Sequence, residues 1–139
     1  MSREIKFRVF IDYKIFYQDK HDEYGDNLTS IDICKKTITI TGFHNCENVY
    51  RFEDEKVKLM QYTGVKDKNG KEIYENDLIS CNKHKNIVVF FEGGCFKVKY
   101  LRNSTTTITC TLNSFLEKYK CKISGNIYEP PELLEENNW

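Results

Sequence analysis

Short segments in which apolar and polar residues alternate recur along this chain, and turn residues separate them. In the first segment Ile5, Phe7, Val9 and Ile11 alternate with the residues between them, which predicts a half-buried strand with Arg8 on the opposite face. Both prolines lie near the end of the sequence, so no proline interrupts a central strand. Aromatic residues, which suit pleated and half-buried surfaces, make up 14% of the chain. The pattern therefore predicts a mainly β protein.

The spacing of these segments predicts a fold as well as a class. Short strands separated by turns favour a small barrel or sandwich. We expect a short-stranded N-terminal sheet packed on a small SH3-like, partly open barrel, with one or two short C-terminal helical turns. The predicted domains are residues 1–56 and residues 57–139. The predicted helical segments are Phe115–Tyr119, capped by Asn113 or Ser114, and a final turn that starts at Pro131.

The predicted strands share β-branched or aromatic residues and are bounded by turn residues. They are Ile5–Ile11, Tyr13–Tyr17, Ile31–Cys34, Thr37–Thr41, Val49–Phe52, Val57–Tyr62, Leu78–Cys81, Ile87–Phe91, Cys95–Leu101, Thr105–Leu112 and Lys122–Tyr128.

Charge and cysteine content exclude some classes of protein. The 21 basic and 21 acidic side chains balance, which disfavours extended contact with duplex DNA. The basic residues nevertheless concentrate between Lys83 and Lys122, and the chain beyond Ile123 is acidic. The N-terminus has no secretory leader pattern and no apolar run is long enough to span a bilayer, so we expect a cytoplasmic protein with no membrane partner. Its six cysteines are then predicted to be reduced, and mostly buried as small apolar groups.

Two blocks combine turn residues with aromatic and acidic residues. The first block runs from Leu59 to Leu78 and contains the tight-turn sequence Asp67–Gly70 and the acidic turn Glu75-Asn76-Asp77. The second runs from Gly125 to Leu134. Together they resemble the signature of the YopX family of small phage and prophage proteins, and the similarity weakens between Phe16 and Lys58. In the family the acidic turn is commonly Glu-Gly-Asp, and Asn76 can replace that glycine because asparagine tolerates positive φ.

The resemblance implies a phage or mobile-element origin, an intracellular setting and self-assembly into a homo-oligomer. It supplies no settled reaction and no catalytic residues. We expect the variable region 16–58 to determine target choice, since loops on a rigid scaffold commonly carry recognition.

Two clusters suggest metal chemistry, and each has a structural alternative. Glu72, Glu75 and Asp77 could hold Mg²⁺ and make the chain a metal-dependent hydrolase. The favoured interpretation is that Asp67 and Asp77 bind turn amides. The Cys81–His84 segment has the spacing of zinc ligands, but it has no second pair, so a buried cysteine and an exposed turn histidine are favoured. We predict no metal and no cofactor.

Aromatic and basic residues give the candidate binding site. Tyr62, Tyr74 and Tyr128 are predicted to line one concave patch beside Glu75 and Asp77. On the strand from Phe96 to Arg102, Lys97 and Lys99 fall on the face opposite Phe96, Val98 and Tyr100; that alternation favours a core-facing strand over a base-stacking one.

No nucleophile motif and no phosphate-binding glycine loop is present in the sequence. The preferred hypothesis is therefore a non-enzymatic, phage-encoded accessory protein that binds a host or phage protein and acts by occlusion on host defence, replication or transcription. The alternative is a binder of a nucleotide or single-stranded nucleic acid, which would hold its ligand between subunits with Tyr62, Tyr74, Lys97 and Lys99.

Overall fold

The structure of the chain, a computed structural model, describes residues 4–129, which form twelve strands and one α-helix. The helix α1 spans Leu112–Lys118 and a 3₁₀ turn spans Phe43–Asn45. The strands are β1 Phe7–Ile11, β2 Lys14–Tyr17, β3 Asn27–Asp32, β4 Thr37–Thr41, β5 Glu47–Arg51, β6 Val57–Lys66, β7 Glu72–Tyr74, β8 Asp77–Ser80, β9 Ile87–Glu92, β10 Cys95–Leu101, β11 Thr107–Thr111 and β12 Lys122–Asn126. The predicted mainly β fold is confirmed, with a curled half-barrel sheet and one short helix.

The described residues divide into two compact units, the N-terminal unit Glu4–Gln61 and the C-terminal unit that starts at Tyr62. The division falls inside β6, whereas the sequence placed the domain boundary at residues 56–57, just before that strand. Each unit has its own apolar core.

In the N-terminal unit, β1 pairs antiparallel with both β2 and the first half of β6. A second sheet has the strand order β3-β4-β5, in which β5 is an edge strand. The core is aliphatic because the inward positions of β1, β3, β4 and β6 carry branched residues. It consists of Val9, Ile11, Leu28, Ile38, Ile40 and Val57.

In the C-terminal unit, the second half of β6 pairs with β7, and a five-stranded sheet has the order β11-β10-β9-β8-β12. The β9–β10 hairpin turns at Gly93-Gly94, and both glycines have positive φ, as a two-residue turn of type I′ requires. Helix α1 places Leu112 and Phe115 in the core. The other buried members of the core are Ile73, Ile79, Cys81, Val89, Val98 and Cys121.

Several elements differ from the prediction. Helix α1 starts at Leu112, and its N-cap is Thr111 rather than the predicted Asn113 or Ser114. The Thr111 hydroxyl accepts a hydrogen bond from Ser114 N at 3.2 Å. Strand β3 starts at Asn27 and not at Ile31. Arg8, predicted on the face opposite the apolar residues, is also buried; it lies on β1, the strand between β2 and β6. The helical turn predicted from Pro131 lies outside the described residues.

The predicted tight turn at Asp67–Gly70 is confirmed. Gly70 has φ +83° and its N–H donates to Asp67 O at 3.0 Å. A Cβ at this position would meet no atom within 4 Å, so a larger side chain would be opposed only by backbone strain.

Gly70→Val is therefore expected to lower the free energy of unfolding by about 1–2 kcal/mol, since a β-branched residue resists the left-handed conformation. Thermal unfolding followed by circular dichroism measures the loss. Gly70→Asn is the matched control, because asparagine adopts positive φ more readily, and it should lose less. Equal melting of the two variants would contradict the role given to φ.

Candidate functional site

The first block centres on two tyrosines that face each other across β6 and β7. Tyr62 pairs with Tyr74, and their ring centroids lie 5.6 Å apart at an interplanar angle of 43°. Only 6% of Tyr62 and 2% of Tyr74 are exposed. The structure therefore places this pair in the interior rather than on an open concave patch.

The acidic turn between β7 and β8 is held by its own carboxylate. The buried Asp77 accepts a hydrogen bond from Tyr74 N at 2.8 Å through Oδ2. Asn76, which stands where the family commonly has glycine, has φ +69°, the positive value expected at that position. This confirms the turn interpretation of Asp77. Glu72 and Glu75 are partly buried, and within residues 4–129 no group of three or more candidate ligands is placed to hold a metal ion.

The second block attaches directly to this turn. Ile127 N donates to Asn76 O at 3.0 Å, and Asn76 Nδ2 donates to the hydroxyl of Tyr128 at 3.2 Å. Asn126 pairs with Asp77 across β8 and β12. Its Oδ1 stabilises the turn that follows, because it accepts hydrogen bonds from Tyr128 N at 3.0 Å and from Glu129 N at 2.9 Å. The two blocks therefore meet in space although about 50 residues separate them in sequence.

Asp67 links the first block to β12, the strand in which the second block begins. Its Oδ1 accepts from Asn69 N at 2.9 Å and Lys71 N at 2.8 Å, and its Oδ2 accepts from Ile123 N at 3.0 Å. Asp67 is buried, so its carboxylate is the acceptor that satisfies these three backbone N–H groups inside the fold. The most distinctive residues of the sequence thus organise the C-terminal unit.

The predicted lysines lie elsewhere in this unit. Lys97 and Lys99 are on β10, where Lys97 pairs with Phe90 on one side and Thr111 on the other, and Lys99 pairs with Thr109. Lys97 Nζ is 3.9 Å from Glu92 Oε1. Phe96, Val98 and Tyr100 pack against the core, so the core-facing interpretation of β10 is confirmed.

An aromatic cluster that the sequence did not reveal is formed by His84, Tyr100, Phe115 and Tyr119. The ring centroid of His84 lies 4.6 Å from that of Tyr100 and 5.1 Å from that of Tyr119, and Phe115 lies 5.0 Å from Tyr119. The prediction of an exposed turn histidine is wrong, since His84 is partly buried against these rings, whereas Cys81 is buried as predicted. Two features of the sequence could have indicated this cluster: the inward position of Tyr100 on its strand and the i, i+4 spacing of Phe115 and Tyr119.

Several lysines lie close to the aromatic cluster, in space or in sequence. Lys118 Nζ lies 5.5 Å from the centroid of the Tyr119 ring, within reach of a cation–π interaction. Lys83 and Lys85 flank His84 in sequence, Lys120 follows Tyr119, and all of these lysines are exposed. Partly exposed Tyr100, Tyr119 and His84 therefore lie beside a group of positive charges.

The fold and the two linked blocks can be compared with known proteins. The model of the YopX protein family matches residues 6–135, nearly the whole chain. The chain belongs to the YopX family. The crystal structure of protein EF1440 from Enterococcus faecalis is similar over 96% of this chain and 99% of that one, at 25% sequence identity and a TM-score of 0.55. No curated protein matches. Within residues 4–129 no helix has the length and apolar character needed to cross a membrane.

The N-terminal unit of this YopX-family chain exposes large apolar side chains. Ile33 lies in the β3–β4 turn, Phe43 in the loop after β4 and Val49 on β5, and all are exposed. Phe43 covers the loop before β3, since a Cβ at Gly25 would lie 3.0 Å from its Cζ atom. These residues fall within region 16–58, which is predicted from the sequence to be variable.

The same loop is ordered by one ion pair and two backbone hydrogen bonds. Asp22 pairs with Lys14, and its Oδ1 accepts from Tyr24 N at 2.8 Å and Asp26 N at 2.9 Å. Burial acts to raise the pKa of the Asp22 carboxyl, but the bonds from Lys14 and from these amides outweigh it, and the pKa is lowered. The hydrogen bond to Asp22 raises the pKa of Lys14.

A pH dependence follows from this loop. Because the folded-state pKa of Asp22 is depressed, its contribution to stability is present above the unfolded value near 3.8 and is lost as the pH falls below it. The difference in melting temperature between the native chain and Asp22→Asn is therefore expected to shrink as the pH falls from 6 to about 3. Melting curves over this range measure it, and parallel curves for the two proteins would contradict it.

Proposed function

We propose that this YopX-family chain is a non-enzymatic accessory protein of a phage or prophage, and that it binds a host or phage protein through its N-terminal unit and acts by occlusion. Binding would place the partner against the exposed apolar residues Ile33, Phe43 and Val49. The single observation that carries the proposal is that region 16–58, where the resemblance to the family is weakest, exposes these side chains.

The edge strand β5 supports the same surface. Among the described residues β5 pairs only with β4, and four of its five residues are exposed. An exposed edge presents backbone donors and acceptors to which an added strand can pair. Val49, near the middle of this edge, offers an apolar contact between the charged ends Glu47 and Arg51. A partner that adds a strand here and covers Val49 fits the surface.

The decisive experiment compares two substitutions of equally exposed apolar residues. Val49 and Leu101 are 61% and 63% exposed, but Leu101 lies on β10 in the other unit. Tagged native chain, Val49→Lys and Leu101→Lys would each be used to purify partners from a lysate of a bacterial host of related phages, with quantification by mass spectrometry. We expect one partner to be retained by Leu101→Lys and to fall at least about tenfold with Val49→Lys, a loss of about 1.4 kcal/mol.

Equal recovery with all three proteins, or no partner above the untagged control, would count against the proposal. Circular dichroism should show that both variants remain folded, because each replaced side chain is exposed. Self-assembly is also part of the proposal, and light scattering coupled to size exclusion measures it. A monomer at micromolar concentration would remove that part alone.

A second candidate function, binding of single-stranded nucleic acid or a nucleotide, is favoured by the aromatic cluster and its lysines. Bases stack on exposed aromatic rings, while nearby lysines hold phosphates. The buried Tyr62 and Tyr74 offer little surface for this, whereas Tyr119 is partly exposed beside Lys118.

Fluorescence anisotropy with a labelled oligothymidylate tests this candidate. Tyr119→Ala should weaken binding about tenfold, since one stacked base contributes about 1–3 kcal/mol. The exposed Tyr13 lies on the β1–β2 turn of the other unit, so Tyr13→Ala is the matched control and should leave binding unchanged. Binding that is absent, or that the two substitutions weaken equally, would remove this candidate.

A further inference from the structure

Two cysteines lie opposite each other where the β8–β12 ladder ends. Strands β8 and β12 are antiparallel, with Ile79 paired with Ile123 and Ser80 paired with Lys122. The next step of this register brings Cys81, the residue after β8, opposite Cys121, the residue before β12. The pairing therefore joins positions that are 40 residues apart in sequence.

The backbone hydrogen bonds show which type of antiparallel pair this is. Cys81 N donates to His84 O at 2.7 Å, and Cys121 O accepts from Lys68 N at 2.9 Å, so these groups do not bond across the ladder. Opposite residues in such a non-hydrogen-bonded pair have Cα atoms about 4.5 Å apart, with their side chains close. That spacing lies inside the range of about 4.4–6.8 Å found for disulfides.

The side chains point to the same place. Both cysteines belong to the core of the C-terminal unit, with 9% of Cys81 and 1% of Cys121 exposed. Cys121 Sγ donates to Tyr119 O at 3.5 Å, the neighbouring Cys81 thiol acts on the pKa of Cys121, and both cysteines are free in this structure. Two free cysteines at opposite positions of a ladder, with Cα atoms in the range found for disulfides, can be bridged without a large movement of the backbone.

We propose that Cys81 and Cys121 form a redox modification site, in which a small peroxide converts the two thiols to an intramolecular disulfide. The Cys81 thiolate, the more exposed of the two, attacks one peroxide oxygen; a sulfenic acid forms and the other oxygen leaves as water after taking up a proton. The Cys121 sulfur then attacks the Cys81 sulfur and displaces the second oxygen as water. Two thiols and one hydrogen peroxide thus give one disulfide and two waters.

The burial of Cys121 sets the conditions for this reaction. Burial first, and then the neighbouring Cys81 thiol, raises the pKa of Cys121 to about 12, so little thiolate is present at neutral pH. The second step is therefore slow at pH 7 and becomes faster as the pH rises, because thiolates and not thiols attack sulfur.

The product would tie β8 to β12, the strands that precede and follow the rest of the five-stranded sheet. The closed loop contains β9, β10, β11 and α1. Closure of a loop of this length restricts the unfolded chain, and we expect the melting temperature to rise on the order of 10 °C.

The test isolates this pair from the other thiols. A variant that carries Cys34→Ser, Cys46→Ser, Cys95→Ser and Cys110→Ser retains only Cys81 and Cys121. It would be treated with hydrogen peroxide at pH 7 and pH 9, quenched with a thiol-blocking reagent and examined by intact mass, non-reducing peptide mapping and melting. We expect loss of two hydrogens per chain, a peptide that links Cys81 to Cys121, faster formation at pH 9, and a melting temperature that returns to the reduced value with dithiothreitol.

A second variant keeps the proposal falsifiable if the quadruple variant does not fold. Cys121→Ala in the otherwise native chain should abolish the linked peptide while leaving the other peptides unchanged. The proposal is overturned if native chain under peroxide yields oxygen-containing acids at Cys81 without the link, or only disulfides between chains. It is equally overturned if the linked form melts no higher than the reduced one.

Discussion

Replacing Asp67 by alanine is expected to lower the free energy of unfolding of the C-terminal unit by about 3–5 kcal/mol. The carboxylate of this buried residue accepts hydrogen bonds from three backbone amides, two in its own turn and one, Ile123 N, on β12. Alanine removes the acceptor and leaves those amides to be satisfied by water or not at all, at about 1–3 kcal/mol for each buried donor. Urea unfolding monitored by fluorescence measures the loss.

The matched control is Asp54→Ala. Asp54 is also a turn aspartate, and its Oδ1 accepts from Lys56 N at 2.9 Å, but the residue is exposed and its bond stays within one turn. We expect a loss of about 1 kcal/mol or less, because water replaces an exposed partner readily. If the two substitutions cost the same, the bond from Asp67 to β12 contributes nothing, and the account of how the first block is joined to β12 is wrong.

The turns and the alternating strands were predictable because their causes are local. Positive φ at Gly70 and Asn76 follows from residue types that tolerate it, and β10 follows from the alternation of Phe96, Val98 and Tyr100 with lysines. Local chemistry also gave the turn role of Asp77. Each of these features involves neighbours only a few residues apart.

The misses have causes that are distant in sequence. Arg8 is buried on β1, which pairs with β2 and with β6, a strand some 50 residues later, so its surroundings include a segment that is distant in sequence. His84 is partly buried because α1 brings Phe115 and Tyr119 against it. Hydrophobic periodicity and strand propensity describe one segment at a time, so they do not indicate which segments pack against each other.

The burial of Tyr62 and Tyr74 was missed for the same reason. Aromatic residues in a distinctive motif suit an interface and a core equally well, and only the pairing of β6 with β7 decides between them. That pairing buries Tyr62 and Tyr74, so the exposed apolar residues of the N-terminal unit became the better candidates for recognition. The distinctive motif and the proposed recognition surface are thus on different units.

Tyr74→Ala is expected to lower the free energy of unfolding by about 3–5 kcal/mol, the usual cost of truncating a buried aromatic side chain. The ring is almost completely buried and packs on Tyr62, so its removal leaves a cavity that the alanine methyl group is too small to fill. Tyr128→Ala should cost less, about 1–2 kcal/mol, because Tyr128 is only partly buried and its hydroxyl accepts from Asn76 Nδ2. Thermal and urea unfolding of both variants give the comparison.

Tyr74→Phe separates packing from recognition. Phenylalanine keeps the ring and removes only the hydroxyl, so we expect at least half of the loss seen with alanine to be restored. Partner recovery by Tyr74→Phe should equal that of the native chain, since a side chain 2% exposed offers almost no surface to a partner. If Tyr74→Phe is as stable as the native chain but no longer retains a partner that Leu101→Lys retains, Tyr74 belongs to the recognition surface, and the assignment of this residue to the interior of the fold fails.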